Sequence, residues 1–161
     1  VELYLIRHAD ALPLGENGTT QDEERPLSAK GETQSEAVAR ALSKREIVLD
    51  KLYASPLVRA AQTASILLRV WAKPELILET CNLLAPGGKP RKLAKQLLKA
   101  EGEKIGLVGH EPDLGEFAAW LLGNKEAQIH VAKAGVVHIL CEGIPSKGGG
   151  ALQWMVTPEW Y

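Results

Sequence analysis

The sequence predicts an α/β fold: a single domain with a mostly parallel central sheet, helices on both faces and an antiparallel edge near the C-terminus. Three observations carry this expectation. The 161 residues match one domain on a prior of roughly 100 to 200 residues, so 1–161 is read as one unit without a dividing linker or an internal repeat. Short apolar runs alternate with segments of helical periodicity, the pattern of β–α units joined by right-handed crossovers. Two late β runs flank a turn-rich stretch containing Gly148-Gly149-Gly150, as in an antiparallel pair.

Taken in order, Glu2 to Arg7 (ELYLIR) is an apolar run of the length of a strand covered on both faces. The polar, acid-rich stretch from Ala9 to Arg25, with Pro13, Gly15 and Asn17-Gly18, reads as a mobile loop bordering His8. Ser28 is placed to cap a helix whose apolar positions Ala37, Val38, Ala41 and Leu42 recur at helical spacing and which ends near Lys44-Arg45. Ile47 to Ala54 reads as the second strand. Ser55-Pro56 then reads as a cap followed by proline at the first helical position, opening a helix that carries Leu57, Ala60, Ala61, Ala64, Leu67, Leu68 and Trp71 on its inner side. Glu75 to Leu78 is a third strand and Pro90 to Ala100 a basic amphipathic helix. Lys104 to His110 is an apolar strand ending in Gly-His, and Asp113 is placed to cap a helix through Leu122. Val136 to Cys141 and Leu152 to Thr157 form the late pair.

Composition removes several function classes. With 45% apolar and 24% charged residues the chain covers a substantial core, and disorder is not the default. A net charge of -1 draws no polyanion, and the four Trp, three Tyr and one Phe are not interleaved with basic residues, so no nucleic-acid partner is expected. No apolar stretch reaches the roughly 18 residues of a membrane span, and no basic leader precedes the first strand; no membrane partner is expected. Cys81 and Cys141 lie far apart without C-x-x-C spacing, which fits a reducing cytoplasm.

In such sheets ligands bind beyond the carboxyl ends of the strands. Three strands here deliver polar groups to that edge: Arg7-His8, Ser55 with Arg59, and Gly109-His110. Each has an ordinary reading alone, as a rim histidine, a paired arginine or a helix cap. Arg59, however, stands in a helical first turn, where the dipole prefers anions, and a bound anion would reconcile that. Two guanidinium groups, two imidazoles and a helix N-terminus together make a receptor for a compact dianion such as a phosphoryl group. A neutral imidazole is also a nucleophile toward phosphorus, which points to phosphoryl transfer through a phosphohistidine.

The blocks LYLIRHADA, ERPLSAKGETQ, YASPLVRAAQTA and IGLVGHEPDLG, in this order and spanning nearly the whole chain from Leu3 to Pro158, resemble the histidine phosphatase superfamily, also called phosphoglycerate mutase-like. The short chain, the RPLS-x-x-G block and the ending QWMVTP are most similar to its bacterial protein phosphohistidine phosphatases. The resemblance implies that His8 is the phosphorylated nucleophile, and that Arg7, Arg59 and His110 complete a catalytic phosphate pocket. It also places Arg25, in the RPL block, as a substrate-binding residue, although Arg25 reads equally as a helix-leading residue paired with nearby acids. No metal and no other cofactor is implied.

Two departures stand out against that family. Ala9 occupies a position where many members carry glycine, so an added methyl narrows the backbone's approach to a ligand. Phosphomonoester-cleaving branches also place an acidic proton donor in the pocket, and Glu79 and Glu111 are both candidates. Without a clear acid, an imidazole leaving group is favoured over an alkoxide. The expected partner is accordingly a phosphohistidine-bearing protein, such as a histidine phosphotransfer domain, admitted by a pocket for which little chain is available as a cap. In that mechanism neutral His8 attacks while Arg7, Arg59 and protonated His110 spread the charge, and water then releases phosphate. Three rival readings remain: a phosphatase or mutase for small phosphate esters, a zinc protein built on His8, Asp10 and His110, and a noncatalytic phosphohistidine-binding module.

Overall fold

Alternation along the strands sorts the apolar side chains into two layers, one on each face of a six-stranded sheet. A computed structural model describes residues 1–161. The strands are β1 (Glu2–Arg7), β2 (Lys51–Ala54), β3 (Leu78–Thr80), β4 (Lys104–Gly109), β5 (Val136–Cys141) and β6 (Gly150–Val156), in the spatial order β3-β2-β4-β1-β5-β6. β1, β4, β2 and β3 pair in parallel; β5 runs antiparallel to both β1 and β6. The antiparallel unit thus begins inside the sheet, against β1, and of its strands β5 and β6 only β6 lies at an edge, opposite the β3 edge. The fold class is the α/β arrangement that the alternation of elements predicts.

On β1, Leu3 and Leu5 face one layer and Tyr4 and Ile6 the other, as a period of two requires. The first layer packs with Ile105, Leu107 and Ile139 under helices α3 (Pro90–Leu97) and α4 (Asp113–Leu121). The second packs with Leu52, Val108 and Val136 under α1 (Ala29–Lys44) and α2 (Val58–Trp71). Each large side chain so buried contributes roughly 1.5 to 3 kcal/mol of transfer free energy, enough to fix the strand register and with it the residues at the strand ends.

Several elements begin or end elsewhere than periodicity predicts. Residues 47–50 lie outside β2 rather than starting it, because the Asp50 carboxylate accepts the Glu103 and Lys104 amides, both at 2.8 Å, and fastens the chain across the sheet end. β3 starts three residues later than the apolar run, since Leu76 closes a turn onto the Lys73 carbonyl. α2 begins at Val58, with Leu57 as its cap, and not at Pro56. Asp113 does not cap α4; its carboxylate accepts the Gly87 amide at 2.7 Å. α3 stops at Leu97, short of Ala100.

The stretch after His8 is more ordered than its composition predicts. It carries two short 3-10 turns, Glu16–Gly18 and Asp22–Glu24, and an isolated bridge between Ala11 and Leu27. The start of α1 fastens it. Ser28 caps α1 by accepting the Gly31 amide, and its amide and hydroxyl both donate to Asp10, at 3.0 Å to the carbonyl and 2.6 Å to the carboxylate. A Cβ on Gly31 would overlap the Asp10 carbonyl, so glycine is what lets α1 approach this loop.

Candidate active site

The parallel ladder itself brings the polar strand ends together. Arg7 is in register with Gly109 on β4, the His8 amide donates to the Gly109 carbonyl at 3.0 Å, and the Ser55 amide donates to the Val108 carbonyl at 2.9 Å. One step past the last ladder bond on each strand therefore stand His8, Ser55 and His110. All three side chains are buried, and the rings of His8 and His110 are 5.0 Å apart.

His8 Nδ1 lies 2.7 Å from the Ala9 carbonyl, which can only accept, so Nδ1 carries the ring proton and Nε2 a lone pair. Arg59 Nε–H donates to that Nε2 at 3.3 Å. Arg59 is the second residue of α2 and only 6% exposed, and the Thr63 hydroxyl, one turn on, accepts the Ala9 amide at 3.1 Å, tying α2 to the loop after His8. Burial, reinforced by the charges of Arg59 and Arg7, pushes the His8 imidazole down to about 4. At neutral pH its Nε2 is therefore unprotonated, as a nucleophile requires.

Ser55 is not a helix cap. Its hydroxyl accepts the Leu57 amide at 3.2 Å and sits 2.7 Å from His110 Nε2, the one acceptor the structure offers its proton. The hydroxyl donates to Nε2, which leaves the His110 proton on Nδ1. That Nδ1 is buried without a hydrogen-bond partner, and so is Nε of Arg7, whose Nη1 donates to the Val131 carbonyl at 3.0 Å. Two orphaned donors beside a nucleophilic nitrogen suit an incoming oxyanion, because leaving them unpaired costs roughly 1 to 3 kcal/mol each. His110 is pushed down to about 3 by burial, then by its neighbours His8 and Arg59. The ring is neutral at pH 7 rather than protonated: two nearby guanidinium groups oppose a third positive charge.

Arg7, His8, Arg59 and His110 thus act on one another at a single strand edge. Arg25 reaches them only indirectly. Its Nε donates to the Leu12 carbonyl at 2.7 Å and its Nη1 to Asp22 Oδ1 at 3.0 Å, while Asp22 Oδ2 accepts from Arg59 Nη2 at 3.0 Å and the Asp22 carbonyl from Arg59 Nη1 at 2.8 Å. The anion that meets the first-turn Arg59 is therefore partly supplied by the chain. Neither Asp22 nor the pairing of Ser55 with His110 was evident from the local pattern. Asp22 sits in an acidic run that reads as solvated loop, and only its place three residues before Arg25 hinted at a contact.

The remaining candidates separate: Glu111 stays within the field of Arg7, and the others do not join the cluster. Glu79 pairs with Lys51 at 3.0 Å on the outer part of the sheet, away from the histidines. Glu111 accepts the Gly115 amide at 3.0 Å, and burial holds its carboxyl above the usual carboxylate range. Asp10 has one oxygen on Lys133 at 2.7 Å and the other on Ser28, so it does not join His8 and His110, and no three metal-ligating side chains gather anywhere in the structure.

An α/β sheet with a buried His-Arg-His cluster at its carboxyl edge defines a class that other proteins share. The chain belongs to the histidine phosphatase superfamily. The profile described as "Histidine phosphatase superfamily (branch 1)" matches residues 3–81, and an uncharacterized protein of Picosynechococcus sp. (strain ATCC 27264 / PCC 7002 / PR-6) is 32% identical over 166 residues, covering 99% of this chain and 98% of that protein. Among solved structures, the protein histidine phosphatase SixA complexed with tungstate superposes with a TM-score of 0.85 at 22% identity, over 98% of this chain and 97% of that one. The alpha-ribazole phosphatase of Shigella flexneri gives 0.75 at 17% identity over 98% and 97%. At these identities the structures share the fold. No helix is long and apolar enough to cross a membrane, and both cysteines are free and buried.

Proposed function

We propose that the chain is a metal-independent protein phosphohistidine phosphatase that works through a covalent phospho-His8. The observation that carries this reading is the state of His8: proton on Nδ1, held by the Ala9 carbonyl, and a lone pair on Nε2 facing Arg59. Family membership supports a phosphatase; SixA, which shares the fold, is a protein histidine phosphatase.

In the proposed reaction His8 Nε2 attacks phosphorus in line. Arg7 and Arg59 take up charge on the equatorial oxygens, and His110 donates from Nδ1. Arriving as a dianion, the phosphoryl group raises the proton affinity of His110, so protonation there accompanies binding. Water then displaces His8 and phosphate leaves. The guanidinium groups supply the charge that a metal ion would otherwise bring. Arg25 acts through Asp22 on the substrate side. A histidine of a phosphotransfer protein in the cytoplasm is the proposed substrate, because the segments around the site are short and its leaving imidazole requires no strong acid.

One observation favours a second reading, a phosphatase for small esters: burial raises the Glu111 carboxyl, as a proton donor needs. The two are separated by comparing kcat/KM for a phosphohistidine phosphotransfer domain with that for sugar phosphates and phosphoglycerate. The phosphoprotein is expected to lead. Rapid quench with labelled donor is expected to trap an acid-labile adduct on the native chain and none on His8→Ala, with turnover reduced at least ~10^4-fold and exhaustive chelation without effect. Higher specificity for the esters selects the second reading; equal phosphate release by His8→Ala overturns both.

A further inference from the structure

Asp22 is the one carboxylate in ion-pair contact with the buried cluster, and its placement is unusual for a site built to hold an anion. It takes the Nη1 and Nη2 end of Arg59, through its carbonyl at 2.8 Å and Oδ2 at 3.0 Å, and its other oxygen takes Arg25 at 3.0 Å. A guanidinium has five N–H donors, and this grip uses two. The Nε–H remains directed at His8 Nε2. Asp22 and a phosphoryl group on His8 therefore occupy different edges of the same guanidinium, and neither has to displace the other.

The depth of the two side chains orders them along the path of reaction. The Arg59 side chain is 7% exposed and that of Asp22 46%, so Asp22 stands at the mouth. In an in-line displacement the leaving group departs on the side opposite the nucleophile, outward from buried His8 and past that carboxylate. Hydrogen bonds from Arg25, and then from Arg59, hold the Asp22 carboxyl below the usual range, so it stays ionised, and its charge is felt as far as His110.

We infer that Asp22 is a specificity-determining residue, a fixed negative charge that selects phosphoryl donors whose leaving group is a cationic ring over those that depart as oxyanions. The inference deepens the proposed phosphohistidine phosphatase and rests on it. The lone pair of His8 Nε2 forms the new P–N bond. The old P–N bond breaks, and its electrons return to the leaving ring, which changes from imidazolium to neutral imidazole without receiving a proton. Measured from free enzyme and substrate, the charge on that ring in the transition state decides kcat/KM. For a phosphoimidazolium it is still partly positive, and Asp22 attracts it. For an ester it is partly negative, and Asp22 repels it. Attraction of the bound cation appears mainly in KM.

The test pairs 1-phosphoryl-3-methylimidazolium, whose ring stays cationic at every pH, with p-nitrophenyl phosphate, in the native protein, Asp22→Asn and Asp22→Glu. Asp22→Asn is expected to lower kcat/KM for the cationic donor by roughly 10-fold, through KM, the size of effect that one charge exerts a few ångström away when water screens it almost as in bulk, as at this half-exposed mouth. For p-nitrophenyl phosphate, kcat/KM is expected to hold or rise, and Asp22→Glu restores the native preference. An equal fall for both substrates, carried by kcat, makes Asp22 a clamp on Arg59 alone and overturns the inference. Failure of the underlying function shows differently: the native protein then forms no phospho-His8 from either the cationic donor or a phosphohistidine protein.

Discussion

β1 carries a histidine-centred polar cluster at each end, and the two are built on opposite principles. At its start the Glu2 carboxylate accepts the Tyr4 hydroxyl at 2.7 Å, stands 2.9 Å from His138 Nε2 and 3.8 Å from the Lys104 ammonium. His138 stacks on Tyr4 with ring centroids 4.4 Å apart. Burial lowers the His138 imidazole while Glu2 pulls it back up. At its end, His8 and His110 have guanidinium neighbours and no carboxylate in contact, so burial and charge push both down. A cluster whose charges cancel internally holds strands together. One that leaves guanidinium charge only partly matched stores an affinity for an anion.

The largest expected effect follows from removing that imbalance. Arg59→Lys keeps a positive charge but loses the planar donor set that serves His8 and Asp22 at once. The expected fall in kcat/KM is on the order of 10^2- to 10^3-fold, the range seen when one oxyanion-stabilising donor is deleted. Steady-state kinetics on any accepted phosphoryl donor measures it. A lysine variant within a few-fold of the native protein would mean that net charge alone makes the site, and the contrast between the two ends would lose its geometric half.

The second effect is on stability. Both rim histidines have folded pKa values below the 6.5 of the free side chain, at about 4 and about 3. Between those values and 6.5 the unfolded chain binds more protons than the folded one, so stability rises with pH across this window. It is fully present above about 6.5 and is lost as the pH falls toward 4, by on the order of 3 kcal/mol per ring. Thermal unfolding from pH 7 to 4 checks the sign. Vanadate at 100 times its Kd is expected to add about 3 kcal/mol at pH 7 by binding only the folded state. A Tm that does not respond to vanadate would contradict the reading of Arg7 Nε and His110 Nδ1 as donors awaiting an oxyanion.

Most of the sheet could be read from the sequence because burial has a period. β1, β4 and β5 lie where their apolar runs lie, since strands covered on both faces read as continuous hydrophobic segments. The boundaries that moved did so for tertiary reasons that no local pattern carries. Asp50 holds the chain just ahead of β2 by accepting the amides of residues 103 and 104, and Ser55 leaves its apparent cap position to meet His110, a residue 55 positions away. The same holds at the site. Arg7, His8, Arg59 and His110 are visible because each ends, follows or opens a regular element at one sheet edge. Asp22 is not, because its role depends on how an irregular loop folds back over α2. The residue with the sharpest consequence for substrate choice thus lies in the segment whose composition said least.

The smallest effect tests whether the two ends of β1 are independent. Glu2→Gln leaves a hydrogen-bond acceptor for Tyr4 and removes the charge shared with His138 and Lys104. Against the upward push of burial, the Tyr4 hydroxyl, Lys104 and His138 hold the Glu2 carboxyl below its usual range. Its stabilising contribution is therefore present at neutral pH and fades as the pH falls through that lowered value. Because Glu2 is partly exposed, solvent screening limits the cost of the substitution to about 1 kcal/mol at pH 7. Denaturant unfolding is expected to show that loss at unchanged m-value, with kcat and KM as in the native protein. A substantial drop in kcat would show that strain passes along β1 from Glu2 to His8, and the catalytic edge would then depend on a charge balance at the far end of its own strand.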